Sequence, residues 1–239
     1  MSARPRPEWV SPSLAAIPSG AIPAYEMKFF VPEEVARDVE VWAGQHLALD
    51  PHSDPTHGYR TTTTYFDTPR FDVYQRRADY RRDKYRVRRY GTDATAHLER
   101  KSKEDGRVWK FRTSLPFAEV AAVLADGGPP AAHWFTRELA DLGLRPVCQV
   151  SYNRTAFVEL GATGPVRVTL DRSVRGAAIH GGEAPIVTDG VILEFKYLAT
   201  LPALFKTAYE LFQLTPAGVS KYRRCVAAAG LVSEGTGNA

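Results

Sequence analysis

The chain has 239 residues, 44% hydrophobic and 24% charged, with a formal net charge of +4. This composition supports a proper core and excludes a disordered or fibrous protein. No run approaches the ~18 apolar residues of a membrane-spanning helix. Residues 1–23 read as a mobile lead-in, without the continuous apolar core of a secretory signal. Period-two alternation then predicts strands at 24–31, 58–68, 81–90, 95–103, 107–113, 147–159, 165–172 and 190–197. Helical spacing falls between them. The segment 32–47 opens on a first-turn proline beside two glutamates, 116–128 and 131–143 end on glycine, and 201–214 and 216–231 close the ordered chain before a flexible tail at 232–239. The segments from 81 to 113 follow one another with hairpin signals and no room for crossover helices. The expected fold is therefore α+β, a single domain over 24–231 built as an antiparallel barrel with helices outside. Cys148 and Cys225 read as reduced, largely buried thiols of a cytoplasmic protein.

Charge is concentrated rather than spread. Between Arg81 and Arg112 there are twelve Lys and Arg against five Asp and Glu, so the remainder is slightly acidic. That points to an anionic partner. In "DKYRVRRYG", Lys84, Arg86 and Arg88 occupy every second position, which on a strand sends all three to one face, about 6–7 Å apart. The same separation of charged from apolar faces recurs: Glu26 and Lys28 alternate with Tyr25, Met27 and Phe29, Lys110 and Arg112 with Trp109 and Phe111, and Glu194 and Lys196 with Leu193, Phe195 and Tyr197. Glu99, Lys101 and Lys103 share a face of a less regular strand. In an ordinary barrel the apolar set fills the interior and the charges meet water. With helices available to cover an apolar exterior, a lumen lined with charge is equally compatible with the pattern, and periodicity leaves both open.

Three features favour the lumen. Carboxylates (Glu26, Glu99, Glu194) stand among the cations, a mixture that suits a cation-plus-phosphate site. Arg60, Arg154 and Arg167 lie singly in apolar or hydroxyl-rich strands, where a buried guanidinium needs an anion, and a phosphate chain would supply one. The planar donor fork of arginine also matches phosphate oxygens. The six histidines form no H-E-x-x-H-like pair and read as surface or capping residues; Asp67 and Asp171 read as turn or strand-end hydrogen bonders or metal ligands. Tyr65, Trp109 and Phe195 read as packing residues, and Arg81, Arg82, Arg89, Arg223 and Arg224 as solvated.

The ordered set "YEMKF", "YFDT", "DKYRVRRY", "LERKSK", "SYNRTAF", "VTLDRSV", "ILEFKY" and "SKYRRC" resembles the VTC domain family, the polyphosphate polymerase branch of the CYTH-like, or triphosphate tunnel metalloenzyme, superfamily. The resemblance implies an eight-stranded closed tunnel barrel. It implies a phosphate-binding set of Lys28, Arg86, Arg88, Lys101, Lys110 and Arg154, with Ser220 and Lys221 reaching in from the C-terminal helix. It also implies a Mn²⁺ or Mg²⁺ ion on Glu194, with Glu26 the other candidate ligand. Hydrolases of the superfamily commonly carry a glutamate pair in an ExExK pattern, whereas Ala24 stands where the first glutamate would fall here. That departure favours the polymerase branch.

The expected chemistry is transfer of the terminal phosphoryl group of ATP to inorganic polyphosphate, with Arg86, Arg88, Lys28 and Arg154 stabilising the transition state. Lys84, Lys103, Lys196, Arg60 and Arg167 would extend the binding surface. The acceptor is ionised at neutral pH and needs no general base, consistent with a chain that shows no catalytic His or Cys constellation. A triphosphate hydrolase and a non-catalytic polyanion-binding module are the alternatives. No nucleic-acid motif is evident. Any coupling of synthesis to membrane transport would need a separate membrane-protein partner.

Overall fold

The computed structural model describes residues 23–53, 58–80, 83–161, 164–187 and 189–232. The expected lead-in before Pro23, the tail after Val232, and Arg81, Arg82 and His57 lie outside the described residues. In chain order the elements are β1 (Ala24–Val31), α1 (Glu33–His46), β2 (Ala48–Leu49), β3 (Tyr59–Asp67), β4 (Asp83–Tyr90), β5 (Thr95–Glu104), β6 (Arg107–Pro116), α2 (Val120–Asp126), α3 (His133–Leu142), β7 (Arg145–Gly161), β8 (Gly164–Ala178), β9 (Ala184–Pro185), β10 (Val191–Tyr197), α4 (Ala203–Leu211) and α5 (Lys221–Ala228). The strands join in the order β7-β3-β4-β5-β6-β1-β10-β8, and pairing of β8 with β7 closes the ring into an eight-stranded antiparallel barrel. The two-residue strands β2 and β9 add to β7 and β8 outside the ring.

Local chemistry explains most boundaries. The β5–β6 hairpin turns through Asp105 and Gly106 at φ 47° and 77°, the left-handed pair that a tight two-residue turn requires. In α1, Glu33 and Glu34 lie in the first turn and His46 in the last, favourable to the helix dipole, and Ala36, Val39, Trp42 and Ala43 form its buried stripe. Ser220 caps α5, accepting a bond from the Arg223 amide at 3.4 Å. β8 continues to Ala178 instead of ending at 172, because a bulge with Ser173 at φ 51° interrupts the alternation without ending the pairing to β7.

Two apolar cores flank the barrel rather than filling it. On one side Tyr85, Val87, Leu98 and Leu115 of β4–β6 meet Val123, Phe135 and Leu139 of α2 and α3. On the other, Phe29, Val168, Leu170, Leu193 and Phe195 meet Val39 and Trp42 of α1 and Phe205 and Ala208 of α4. Each large apolar side chain fully buried this way contributes roughly 1.5–3 kcal/mol. The apolar face of each strand is thus taken up by helices, and the charged face turns inward. Asp67 does structural work: its carboxylate accepts from the amides of Thr68 (2.7 Å), Val73 (2.9 Å) and Tyr74 (2.9 Å) and from the Tyr222 hydroxyl, tying the loop after β3 to α5. Among the described residues no helix is long and apolar enough to cross a membrane.

Candidate functional site

Registers carry the inward face around the ring. Thr63 lies opposite Arg88, Arg86 opposite Glu99, Glu99 opposite Arg112, Lys101 opposite Lys110, Lys196 opposite Glu26, Lys28 opposite Glu194, and Arg154 opposite Asp171. Side chains alternate along each strand, so fixing one of these positions inward fixes the set. The result is a cavity of about 1260 Å³ through the barrel. Thirteen of its described lining residues are Lys or Arg and four are Asp or Glu. The inward reading of Lys84, Arg86 and Arg88 is the one the fold adopts, with Arg86 and Arg88 only 8% and 7% exposed.

The lumen holds three anionic centres, each clasped by cations. Glu99, with no exposed surface, accepts from Arg86 Nε at 2.6 Å and Arg112 Nε at 2.7 Å, with Lys110 at 3.7 Å. Glu26 accepts from Lys101 at 2.7 and 2.9 Å, with Lys196 at 3.2 Å, and Lys28 stands between Glu26 (3.7 Å) and Glu194 (3.5 Å). Asp171 takes a bidentate bond from Arg154 (2.6 and 2.8 Å) and pairs with Lys221 at 2.5 Å. Burial pushes all four carboxyls toward the neutral form, but the surrounding cations outweigh it and hold them below the usual carboxylate range. Against these, Arg88 donates to Thr63 Oγ1 at 3.1 Å, Lys84 donates to Ser220 Oγ at 3.2 Å, and no carboxylate pairs with either among the described residues. Lys84 is thus surrounded by cations without a carboxylate to offset them, whereas Arg88 is steadied by Glu99 without touching it. Thr169 Oγ1 and the Tyr152 hydroxyl are also buried on the lining without a protein partner, leaving polar atoms for a ligand or water to meet.

Two lysines and a tyrosine record this field. Burial, then Lys28 and Arg86, bring Lys84 down to about 8. Burial also lowers Lys110 to about 8, although Glu99 opposes the shift. Burial resists ionisation of Tyr90, yet Arg88 and Arg112 prevail and lower it to about 7. Each group has a folded pKa below its unfolded one, so the unfolded chain binds more protons across these windows. Stability of the empty protein should therefore rise with pH, from about 7 upward for Tyr90 and from about 8 toward the ordinary lysine value for the lysines. Affinity for an anion should fall over the same range as positive charge is lost and phenolate forms. Opposite pH slopes in denaturant melts and in tripolyphosphate titrations are the expected result; parallel slopes would place these groups in solvent.

Of the residues singled out from sequence, Glu26, Lys28, Lys84, Arg86, Arg88, Lys101, Lys103, Lys110, Arg154, Arg167, Glu194, Lys196, Ser220 and Lys221 all line the cavity. Arg60 does not. It lies on the outer face, 55% exposed at its side chain, bonded to Ser151 (3.0 Å) and paired with Glu183 (3.3 Å). β3 carries threonines at four successive positions, so its sequence hides which face is inward. Nor are Arg154 and Arg167 left for phosphate to neutralise: Asp171 pairs with the first, and Asp50 with the second at 2.8 Å. Asp171 is accordingly an ion-pair partner rather than a strand-end hydrogen bonder. Trp109 is 38% exposed, not packed. Arg223, expected in solvent, lines the cavity and donates to the Tyr74 carbonyl, and Arg76 lines it as well. Arg112 acts through Glu99. The period-two pattern had put it on the right face without indicating its partner.

Glu26 and Glu194 are the residues that could hold a divalent cation. Both are ionised, lie close enough that Lys28 reaches both, and offer hard oxygen donors. No group of three His, Cys, Asp or Glu comes together among the described residues. Two carboxylates nevertheless fit Mg²⁺ or Mn²⁺, which commonly take one or two from the protein and the rest from phosphate and water.

A closed antiparallel barrel with a charged lumen and helices outside defines the triphosphate tunnel fold. The chain belongs to the VTC domain family, whose model matches residues 24–229. It is similar in fold to a Hippeastrum candidate adenylyl cyclase described as having a dominant triphosphatase activity, at 15% identity and a TM-score of 0.52, covering 87% of this chain and 98% of that one. A candidate adenylate cyclase of Bacillus halodurans has 14% identity and a TM-score of 0.49, covering 82% and 95%. Comparison with curated proteins finds no match.

Proposed function

We propose that this chain is a metal-dependent polyphosphate polymerase that transfers the terminal phosphoryl group of ATP to inorganic polyphosphate. The observation that carries this reading is the pair of lumen cations, Arg88 and Lys84, that no carboxylate contacts among the described residues, in a cavity whose lining cations outnumber its acids. A terminal oxygen of the acceptor chain attacks the γ-phosphorus, the bond to the bridging oxygen breaks, and ADP leaves with that electron pair. The transition state spreads charge over equatorial oxygens, so positioning and fixed positive charge do the catalytic work. Arg88 and Lys28 supply that charge from rigid strands, Arg154 adds to it while paired with Asp171, and Arg86 and Arg112 are held in place by Glu99. Lys84, Lys101, Lys103, Lys110, Arg167, Lys196, Ser220 and Lys221 extend the binding surface along the chain of phosphates. Mn²⁺ or Mg²⁺ on Glu194 and Glu26 would neutralise phosphate oxygens when bound. No general base is required, because the attacking oxygen is already ionised.

Triphosphate hydrolysis is the second reading, favoured by the activity described for the Hippeastrum relative. Incubation with ATP and Mn²⁺, resolving polymer on gels and ADP and phosphate by chromatography, separates the two. The expected result is polymer plus ADP, lost in Glu194→Gln. ADP and phosphate without polymer would replace the polymerase with the hydrolase, and absence of turnover despite binding would leave a polyanion-binding module.

A further inference from the structure

We propose that the tunnel mouth at the C-terminal end of β4 is a nucleobase subsite, where the rings of His52, Tyr59 and Tyr90 take a purine while its phosphates enter the lumen. This deepens the ATP-dependent reading and rests on it for the triphosphate end.

The rings form three walls. His52 and Tyr90 are near parallel, at 21° with centroids 6.2 Å apart. Tyr59 stands across both, at 86° and 5.6 Å from Tyr90 and at 68° and 6.5 Å from His52. None of the three belongs to either apolar core, so core packing does not account for the arrangement. The two tyrosines are instead pinned at a polar edge, and His52 through its backbone. Arg112 Nη2 donates to the Tyr90 hydroxyl at 3.0 Å, and Arg167 Nη2 donates to the Tyr59 hydroxyl at 2.9 Å. Arg167 also pairs with Asp50 at 2.8 Å, and the other Asp50 oxygen accepts the His52 amide at 2.9 Å. Bonds made at the hydroxyl edges fix the orientation of the two tyrosine rings and leave π faces for stacking, while the His52 ring, tied through its backbone amide, is the wall that can move.

Continuity with the tunnel identifies the occupant. Tyr90 lines the cavity itself, and Arg88 lies two positions earlier on the same inward face of β4. A ligand with its phosphates on Arg88 therefore brings its other end to Tyr90. A base inserted between His52 and Tyr90 needs ring planes about 6.8 Å apart, two stacking distances of about 3.4 Å, whereas the empty protein holds the two rings as a stacked pair. The His52 side chain, exposed on a turn, makes that space by swinging outward. Stacking tolerates either purine and favours the larger ring system, so ATP and GTP should be accepted ahead of pyrimidine nucleotides.

The test is calorimetric titration of the full chain with ATP and, separately, with inorganic tripolyphosphate in the same Mg²⁺ buffer. His52→Ala should weaken ATP about tenfold, within the range for loss of one stacking partner, and leave tripolyphosphate unchanged. His52→Phe, which restores a ring, should recover ATP affinity. If wild-type protein binds tripolyphosphate and His52→Ala leaves ATP affinity intact or weakens both ligands equally, the subsite is wrong and the tunnel reading survives. If neither ligand binds wild-type protein, both readings fall together.

Discussion

Arg88→Ala should lower tripolyphosphate affinity by about 10²- to 10³-fold while leaving the stability of the empty protein close to wild type. The two halves of that expectation have one cause. The Arg88 side chain is buried, bonds only a threonine hydroxyl, and contacts no carboxylate among the described residues, although Glu99 lies near enough to favour its charge. Charge-assisted bonds from a guanidinium to phosphate are worth about 1.5–3 kcal/mol each, and losing a bidentate pair gives the stated loss. In the empty lumen the same guanidinium repels Arg86 but attracts Glu99, so its removal changes the stability of the empty protein little. The check is a pair of thermal melts. Ligand at about 100 times its Kd stabilises by about 2.7 kcal/mol, several degrees in a domain of this size, and Arg88→Ala should abolish that shift at the same ligand concentration. A variant that melts well below wild type yet retains the shift would make Arg88 a structural residue.

Glu99→Gln should do the reverse, lowering the stability of the empty protein by about 3–5 kcal/mol, on the order of 10 °C in melting temperature. Glu99 is fully buried, and its two oxygens are shared by Arg86 and Arg112 with Lys110 nearby. Removing one charge leaves three cations facing one another in a space that water reaches poorly. An exposed ion pair would cost only ~0–1 kcal/mol, so the size of the effect reports the burial. Tripolyphosphate should restore part of the loss by supplying the missing anion. A variant destabilised to the same degree with and without tripolyphosphate would mean that the ligand does not lie near this centre.

Sequence reading located the eight long strands because most carry a clear period-two signal, and β4 alone nearly specifies the barrel: Tyr85 and Val87 need an apolar cover, while Lys84, Arg86 and Arg88 need either water or an anion. What it could not supply was pairing across the lumen. Asp50 sits on a turn more than a hundred residues before Arg167, and Asp171 and Arg154 are brought together by the β7–β8 register alone. Alternation fixes which face a side chain takes but not which residue it meets. Arg60 failed at the earlier step, since a run of threonines gives no preference between faces. His52 gave no signal because its role depends on two tyrosines from different strands.

Closure of the ring also bears on how the chain reaches its native state. β1 pairs from Tyr25 to Val31 with β10, some 160 residues later, and with β6 only at Ala24 and Tyr25. At synthesis rates of about 5–20 residues per second, the first strand waits roughly 10–30 s for its main neighbour. An unpaired apolar strand invites association with other nascent chains, and charged side chains on such an edge discourage it. Glu26 and Lys28 are therefore useful twice: before closure they keep a solitary strand in water, and after closure they line the charged lumen.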